Sequence, residues 1–354
     1  MSLAKFEVVN GVEIHRIRTT DFGRNWIPGR VIDYLSYFVG MSWKLLKLTN
    51  KDDVVVGKTD PPLTSVITSF IAKLKNAKHI CWIQDLFPEV VVALNIKIIP
   101  KFFIKFLIWI RNLSLKRSSV NVVIGERMKQ KLLASGITED SIRILPNWSD
   151  GENVHPVSKH NNSLVSQWNL ENKFVVGYSG NMGRVHEFDT LMQAADRLKS
   201  IEDIVFIFIG GGPQKDYIQS LKNKLNLSNV LFFPYQDYNQ LSESLSLPDV
   251  HIISLRPQIE GLCVPSKFYG VMAAGRPVIF IGDQFGEIAQ FLKRDGTGSS
   301  VAQGDVTNLV QQIKNCYQHT QLIQQLSCNA RSAFELRYAK RLVFFKWESL
   351  LNSL

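Results

Sequence analysis

The stretch that decides the fold runs from residue 248 to residue 281 and reads PDVHIISLRPQIEGLCVPSKFYGVMAAGRPVIFI. Its first part, Pro248 to Leu255, predicts a buried strand because it is almost continuously apolar. A loop follows, then a helical segment that begins near Pro265 and Ser266, and then a second apolar strand at residues 277–281. This order of strand, loop, helix and strand is typical of an α/β protein with a parallel sheet.

The loop after the first of these strands is a candidate ligand site. Glu260 and Gly261 follow the carboxyl end of the strand, where open α/β sheets bind ligands. The helix start at Pro265 and Ser266 leaves backbone N–H groups free to meet phosphate or hydroxyl oxygens. Lys267 adds a positive charge suited to a diphosphate. The alternative is an ordinary loop and helix with a solvated Glu and Lys.

Length and composition bound the class of protein. The 354 residues are 45% hydrophobic and 20% charged, which is typical of a globular protein long enough for two domains. The four cysteines lack metal-ligand spacing, so we expect free thiols in a reducing cytoplasm and no metal. The opening residues do not resemble a signal peptide and no apolar run is long enough to span a bilayer, so neither secretion nor a membrane anchor is expected.

Apolar runs alternate with helical patterns along the whole chain, which predicts two α/β units. In the first unit we expect a hairpin around Asn10 and Gly11, an aromatic-rich helix, and a parallel sheet. The hairpin, helix and strands correspond to residues 8–14, 32–48, 54–57, 79–83, 120–124 and 142–145. The best boundary is the polar stretch between Trp148 and Ser163.

The second unit predicts a doubly wound, Rossmann-like sheet because its strands are separated by helical segments. These strands correspond to residues 173–180, 204–209, 230–233, 248–255 and 277–281. We therefore expect an amino-terminal domain at 1–165, a carboxy-terminal domain at 166–335 and a final helix within 336–354.

Glycine-rich loops in the second unit are candidate phosphate sites. The loop from Gly177 to Arg184 follows a strand, and its Gly180 and Asn181 let the backbone approach a phosphate. Arg184 can pair with two phosphate oxygens at once, and a helix begins near His186. The alternative is a structural turn between strand and helix.

Two further loops in this unit have weaker signals. Gly211 lies in a run of three glycines after a strand, for which a plain turn is the favoured interpretation. Pro234, Tyr235 and Gln236 also follow a strand, where a backbone amide could read a nucleobase edge and Tyr235 could stack on it. An aromatic ring that fills the edge of the domain is the equal alternative.

In the first unit, polar residues follow two predicted strands. Gln84, Asp85 and Glu89 come after the strand at 79–83, so we expect their side chains to face the same crevice. Asp85 could orient an attacking hydroxyl or accept its proton, and the alternatives are a helix cap for Asp85 and a solvated Glu89. Lys58 has a similar position with a weaker signal.

The net charge of +10 is concentrated in one region, because nine basic residues and one acid lie between Lys97 and Lys131. A helical stretch there carries Phe102, Phe106 and Trp109 on one stripe, with Lys101 and Lys105 on another face. A basic amphipathic helix with aromatic residues is typical of an anionic membrane interface. The alternative is a core-packed helix with a basic outer face. Nucleic acid is not expected, since the aromatics lie off the charged face.

Taken together, these segments resemble bacterial glycosyltransferases of family 4, which have the GT-B fold of two Rossmann-like domains facing a cleft. The resemblance runs from about Val8 to the final helix, is strongest at residues 84–89, 177–190 and 260–287, and is closest to the exopolysaccharide and O-antigen group. It implies a retaining enzyme that uses a nucleotide-diphosphate sugar, with UDP as the expected nucleotide, and needs no metal. Glu260 would bind the donor sugar hydroxyls, with the amides of Gly261 and Leu262 and the helix start at Ser266 nearby.

The sequence departs from this family in three places. The family's diphosphate-binding Arg and Lys align with Asn181 and His186, so Arg184 and Lys267 are the expected substitutes. The family's second Glu aligns with Phe268 or Gly270, and the His of its amino-terminal His-Asp pair is Gln84. The chain also begins beyond the family's opening strand, glycine-rich loop and helix, which predicts an incomplete first domain.

Three functions follow as hypotheses. The first is a hexosyl- or N-acetylaminosugar transferase that acts on a lipid-linked or saccharide acceptor, peripheral to the cytoplasmic face of the plasma membrane. The second is a degenerate, non-catalytic GT-B protein that binds nucleotide or membrane in a polysaccharide assembly complex. A GT-B-fold sugar epimerase ranks third because the required acidic constellation is absent.

Overall fold

The computed structural model describes residues 4–23, 27–96 and 100–354. Lys97, one of the nine basic residues noted above, and the opening residues 1–3 lie outside this description. The strands are β1 Phe6–Val9, β2 Val12–His15, β3 Val54–Lys58, β4 Lys78–Trp82, β5 Val120–Val123, β6 Ile142–Ile144, β7 Phe174–Ser179, β8 Ile204–Ile209, β9 Val230–Phe233, β10 Val250–Ser254, β11 Val278–Ile281 and β12 Gly298–Val301.

The helices alternate with these strands, as an α/β protein requires. They are α1 Ile27–Leu48, α2 Thr64–Leu74, α3 Glu89–Ala93, α4 Lys101–Arg117, α5 Glu126–Ala134, α6 Ser163–Gln167, α7 Asp189–Leu198, α8 Lys215–Leu225, α9 Leu241–Ser246, α10 Lys267–Ala273, α11 Glu287–Asp295, α12 Val306–Gln318, α13 Thr320–Ala333 and α14 Lys340–Asn352. A 3-10 turn at Pro257–Ile259 follows β10, and a π-helical turn at Phe334–Tyr338 precedes α14.

Two parallel sheets organise the chain, and a hairpin of β1 and β2 stands apart from them. The amino-terminal sheet has the order β3-β4-β5-β6, and the carboxy-terminal sheet has the order β12-β11-β10-β7-β8-β9. The predicted α/β fold class is confirmed. Asn10 and Gly11 both have positive φ, at 51° and 80°, because the tight turn of the predicted hairpin requires it.

The strand order of the carboxy-terminal sheet positions a ligand site. From β7 the chain proceeds outward through β8 and β9, and it then returns to place β10 on the other side of β7. The connections after β7 and β10 therefore leave in opposite directions, which opens a crevice at the carboxyl ends of these two neighbouring strands. The glycine loop after β7 and the loop that contains Glu260 both begin at this crevice.

The amino-terminal sheet is covered on both faces by helices. His79 of β4 contacts the Thr68 hydroxyl of α2 at 2.9 Å from its Nε2, so α2 lies on the face of the odd-numbered residues of β4. Ile80 points to the opposite face, where it packs in a cluster with Leu350 and Trp347 of α14. The final helix of the chain thus covers the amino-terminal sheet.

A continuous apolar cluster joins the two halves. It contains Ile83 and Met128 from the amino-terminal half together with Phe268 and Tyr269 of α10, all almost fully buried. A backbone hydrogen bond also joins the two halves, since the Leu86 N–H donates to the Leu262 carbonyl at 2.8 Å. The cleft between the halves is therefore closed at its base.

Candidate functional site

A cavity of about 600 Å³ lies at the carboxyl ends of β7 and β10, between the two halves of the chain. Its walls come from the loops that the sheet topology brings together, and helix α10 forms one side. The lining residues are Asp85, Trp148, Ser149, Ser179, Gly180, Asn181, Val185, His186, Ile209, Tyr235, Gln236, Leu241, Ser244, Leu245, Leu255, Cys263, Val264, Pro265, Ser266, Lys267 and Gly270.

Lys267, at the first position of α10, supplies a positive charge to this cavity. Its ammonium donates to the Tyr178 hydroxyl and to the Asn181 carbonyl at 3.4 Å, and it lies 3.7 Å from the centroid of the Tyr178 ring. Burial lowers the pKa of Lys267 well below its usual value. No carboxylate forms an ion pair with Lys267 within the described ranges, so an anionic ligand can supply the missing counter-charge.

His186 holds a defined tautomer beside Lys267. Its Nδ1 lies 2.5 Å from the Ser254 carbonyl, which can only accept, so Nδ1 carries the hydrogen and donates it. The lone pair on Nε2 then faces the Lys267 ammonium at 3.5 Å. Burial, followed by the Lys267 charge, lowers the pKa of His186 to about 3. His186 therefore stays neutral and orients the ammonium.

The glycine loops allow the backbone to approach the cavity closely. Gly210 has φ 129°, and a Cβ at this position would lie 2.5 Å from the Gly180 carbonyl oxygen. Gly212 has φ 137°, and a Cβ there would lie 2.4 Å from the Asn181 side-chain oxygen. Only glycine therefore allows these two loops to pack together. Ser179 Oγ, which is buried beside them, has no partner in the described part of the chain.

The loop after β9 forms one edge of the cavity. Tyr235 is 60% exposed, with its ring against Gly211 and its hydroxyl donating to the Gly211 carbonyl at 3.4 Å. Gln236 also lines the cavity, and its amide donates to the Pro234 carbonyl at 2.9 Å. Tyr235 therefore does not fill the edge of the domain with its whole ring, and its stacking on a nucleobase stays a prediction.

Glu260 lies outside the cavity. The sequence predicts that Glu260, Arg184 and Lys267 bind one donor, but of these three only Lys267 lines the cavity. The Glu260 carboxylate accepts the backbone N–H of Glu287 at 2.8 Å and so caps α11. Burial raises its pKa, and it does not line the cavity. Gly261 packs against the backbone of Arg127, and Leu262 is buried in the core. The strand-end position was correctly predicted, but the carboxylate turns toward a helix 27 residues further along the chain.

Arg184 also departs from the expected position. Its side chain is exposed and does not line the cavity, while its carbonyl accepts from the Arg256 guanidinium at 3.1 Å. Of the residues predicted for the donor side, the structure brings together Lys267, Gly180, Asn181, His186, Tyr235, Gln236 and Ser266 around one cavity.

The amino-terminal half contributes Asp85. Its carboxylate lies in the cleft with one side open to solvent, and burial, followed by the charge of Asp60, raises its pKa to about 6, while Lys58 opposes this shift. The Asp85 backbone forms an antiparallel bridge with Cys263, which holds this residue beside a carboxy-terminal loop that lines the same cavity. A carboxyl with this pKa can exchange a proton near neutral pH.

The other predicted residues of this half have structural contacts. Gln84 accepts from the Asn147 amide at 2.8 Å, and Lys58 lies 5.5 Å from the Trp82 ring centroid. Glu89 does not face the crevice and is not a solvated residue, because both its oxygens accept from the guanidinium of buried Arg111 in α4. This ion pair ties α3 to α4.

Sequence reasoning missed Trp148, Ser149 and Cys263 in the cavity wall. Trp148 follows β6 and stacks on Trp82, with ring centroids 5.8 Å apart and planes within 11°. Its position directly after a strand was the available signal, but the sequence pattern there predicts only a domain boundary in the polar stretch that follows Trp148.

Helix α4 turns its aromatic stripe outward. Phe102, Phe106 and Trp109 are 75%, 47% and 60% exposed, and Lys101 and Lys105 are also exposed. The buried residues of α4 are Leu107, Arg111, Ser114 and Leu115. Helix α4 therefore packs one side on the protein, as the alternative of a core-packed helix expects, but its aromatic stripe is not part of that side. No helix in the described ranges is long and apolar enough to cross a membrane.

Comparisons with known proteins agree with this architecture. The solved structure of Anabaena Alr3699/HepE in complex with UDP and glucose superimposes with a TM-score of 0.74 at 15% identity, covering 95% of this chain and 85% of that one. WaaG, a glycosyltransferase involved in lipopolysaccharide biosynthesis, superimposes with a TM-score of 0.65 at 13% identity, over 93% of this chain and 84% of its own. Two facing α/β halves with a cleft between them define the class: this is a GT-B fold.

The sequence comparisons narrow the class. Residues 162–333, just under half of the chain, match the model of the family described as glycosyl transferases group 1. The chain is 28% identical over 169 residues to the putative colanic acid biosynthesis glycosyl transferase WcaI of Escherichia coli (strain K12), covering 47% of this chain and 41% of WcaI. It is 26% identical over 274 residues to the probable glycosyltransferase WbjE of Pseudomonas aeruginosa, covering 77% of this chain and 68% of WbjE. The chain thus has the GT-B fold, and its match to WcaI spans less than half the length of that relative.

Proposed function

We propose that this chain transfers a sugar from a UDP-sugar to a lipid-linked or saccharide acceptor in cell-surface polysaccharide biosynthesis, with retention at the anomeric carbon. The observation that carries the proposal is the Lys267 ammonium, which is half-buried in the cleft cavity and has no carboxylate partner among the residues that the structure describes. A diphosphate would supply the missing charge. The name of the relative WcaI, which refers to colanic acid biosynthesis, supports a role in polysaccharide biosynthesis. The UDP bound in the structural neighbour HepE supports UDP as the nucleotide of the donor.

The chemistry assigns separate tasks to the two sides of the cavity. The bond between the anomeric carbon and the diphosphate oxygen breaks, and Lys267 with the loop amides near Gly180 and Ser266 stabilises the charge that develops on the diphosphate. The acceptor oxygen bonds to the anomeric carbon and its proton passes to Asp85. In this proposal the chain's own groups neutralise the negative charge of the donor diphosphate, so no metal ion is required. Activity that persists in the presence of EDTA would support this.

The acceptor and location are part of the same proposal. A lipid-linked acceptor would lie in the membrane, and the exposed aromatic residues of α4 with Lys101 and Lys105 are suited to an anionic lipid surface. We therefore propose peripheral binding at the cytoplasmic face of the plasma membrane.

The deciding experiment is a thermal-shift screen with UDP, GDP and their sugars, followed by a turnover assay with the sugar that binds. A ligand at 100 times its Kd adds about 2.7 kcal/mol to the free energy of unfolding, so UDP should raise the melting temperature measurably. Lys267→Met should abolish this shift, and Arg184→Met, outside the cavity, should retain it. No shift with any nucleotide would refute the donor assignment.

The second candidate is a non-catalytic GT-B protein that binds nucleotide. It is favoured by one observation, namely that the Glu260 carboxylate caps α11 and does not face the cavity. The two candidates separate in the turnover assay, because nucleotide binding without hydrolysis or transfer of the donor sugar supports the second.

A further inference from the structure

The wall of the cavity at the carboxyl ends of β7 and β10 contains one buried hydroxyl, that of Ser179. Ser179 is the last residue of β7 and is only 8% exposed. Within residues 4–23, 27–96 and 100–354, its Oγ forms no hydrogen bond, and no other residue of this wall has a buried side-chain N or O atom without a partner. A buried hydroxyl without a partner is unfavourable, so a ligand in the cavity can supply the missing bond.

Ser179 and the Lys267 ammonium lie on opposite sides of β7. The ammonium donates to the hydroxyl of Tyr178, whose ring packs in the apolar cluster on one face of the sheet. Successive side chains of a strand point to opposite faces, so Ser179 points to the other one. Its partner in the parallel register, Ile209 of β8, packs in the cluster on that second face. Ser179 is therefore directed toward a different part of the ligand than Lys267.

The strand order places Ser179 between the charged part and the aromatic part of the cavity. Lys267 follows β10, and Ser179 ends the neighbouring strand β7. Tyr235 follows β9 and lies against the loop after β8, where a Cβ on Gly210 would be 3.1 Å from its ring. The sheet order β10-β7-β8-β9 thus gives the order ammonium, hydroxyl and aromatic ring across the cavity. A nucleoside diphosphate has the corresponding order of diphosphate, ribose and base.

We propose that the Ser179 hydroxyl donates a hydrogen bond to a ribose hydroxyl of the bound nucleotide. This inference rests on the proposed function, which supplies the nucleotide, and it names the residue that recognises the ribose. Two neighbouring hydroxyls already donate to the backbone, Ser244 to the Leu241 carbonyl at 3.1 Å and Tyr235 to the Gly211 carbonyl at 3.4 Å. Ser179 can donate to a ligand without breaking such a bond.

Isothermal titration calorimetry of the full chain with UDP, 2′-deoxy-UDP and 3′-deoxy-UDP tests the contact. One of the two deoxy nucleotides should bind wild type about fivefold more weakly than UDP, because it lacks the hydroxyl that Ser179 meets. Ser179→Ala should bind UDP about fivefold more weakly than wild type does. It should no longer distinguish UDP from that deoxy nucleotide, since both partners of one hydrogen bond are then compared in a double-mutant cycle.

Ser327→Ala is the matched control. Ser327 Oγ is also buried without a partner in the described part of the chain, but it lies in α13, outside the cavity. Ser327→Ala should bind UDP like wild type. Neither variant should lower the melting temperature of the ligand-free protein, because each removes a hydroxyl that has no partner to lose. A structural role of Ser179 would instead lower the melting temperature and leave the preference among the nucleotides unchanged.

Three results would overturn the inference. Wild type could bind both deoxy nucleotides as tightly as UDP, or Ser327→Ala could lose as much affinity as Ser179→Ala. Ser179→Ala could also weaken all three nucleotides by one factor, which would assign the hydroxyl to the diphosphate or the base. If UDP binds wild type, these results refute the ribose contact alone, whereas no UDP binding refutes the donor assignment and the ribose contact together. The comparison of nucleotides on wild type needs no substitution, so it holds even if Ser179→Ala folds poorly.

Discussion

Lys267 has a half-buried ammonium, and its hydrogen-bond partners within the described residues are neutral: the Tyr178 hydroxyl, the Asn181 carbonyl and the ring of His186. Replacing Lys267 with Met should reduce donor turnover about 100-fold or more, since it removes the group that meets the leaving diphosphate. The same change should raise the free energy of unfolding of the ligand-free protein by about 1 kcal/mol or more, because an uncompensated buried charge is lost.

Initial rates of UDP release and urea denaturation measure these two effects. Arg184→Met is the control, and we expect it to change neither quantity, because Arg184 is exposed. Near-normal turnover in Lys267→Met would remove Lys267 from the site, and a large loss of stability would mean that it has a structural role.

Asp85 makes activity dependent on pH on the acidic side. Its pKa is raised to about 6, so below this pH the carboxyl is protonated and cannot accept the acceptor proton. We expect kcat/KM to fall about tenfold per pH unit below pH 6 and to level off above it. Asp60→Asn should move this limb to lower pH, because the Asp60 charge contributes to the shift. A profile that is flat from pH 5 to 7 would contradict the role of Asp85.

At the scale of elements, α5 and α11 begin without the usual capping side chains. Each begins directly after a glycine, and a distant glutamate supplies the cap: Glu287 accepts from the Arg127 N–H at 2.8 Å, and Glu260 accepts from the Glu287 N–H. A Cβ on Gly125 would lie 2.4 Å from the Glu287 carboxyl carbon. Glu287 thus links the carboxy-terminal half to the start of a helix in the amino-terminal half.

Replacing Glu287 with Ala should lower the free energy of unfolding by about 1–3 kcal/mol, because it leaves buried N–H groups at the start of α5 without an acceptor. Glu139→Ala is the control, since Glu139 is an exposed residue paired with Lys129, and its effect on the free energy of unfolding should be much smaller. Chemical denaturation of both variants provides the comparison. Equal effects would mean that the Glu287 cap contributes nothing beyond a surface ion pair.

These caps also explain which parts of the site could be predicted from the sequence. Local patterns predict β8, which is apolar throughout, and β10, which is mostly apolar, and the strand-end rule then locates Lys267 in the crevice. The direction of the Glu260 side chain depends on a helix 27 residues away, which no local pattern encodes. Strand β12 was missed for a related reason, since its Gly-Ser-Ser-Val sequence is strand-like only when paired with β11.

At the scale of the whole molecule, the two halves share one apolar core, and a helix from the carboxy-terminal half covers the amino-terminal sheet. The cluster that contains Ile83 and Phe268 crosses the junction, and α14 leaves the carboxy-terminal half to pack its Leu350 on the amino-terminal sheet. Neither half can unfold without exposing apolar surface of the other. We therefore expect one cooperative unfolding transition, and its pH dependence reports on buried groups in both halves.

Three buried histidines should set that dependence. Burial lowers the pKa of His79 and His251 to about 4 and that of His186 to about 3, while in the unfolded chain each titrates near 6.5. As pH falls from 6.5 toward 4 the unfolded state binds more protons, so stability decreases by up to about 1.4 kcal/mol per pH unit for each histidine. Carboxyls with raised pKa, such as Glu260, act in the opposite sense. The measurement is therefore the difference between wild type and His251→Gln in urea at pH 7.5, 6 and 5. The glutamine amide can keep the hydrogen bond to the Leu245 carbonyl. The free energy of unfolding of the variant should fall less steeply with decreasing pH than that of wild type, and the difference in slope should correspond to about one proton. Parallel curves would mean that His251 is not neutral in the folded protein.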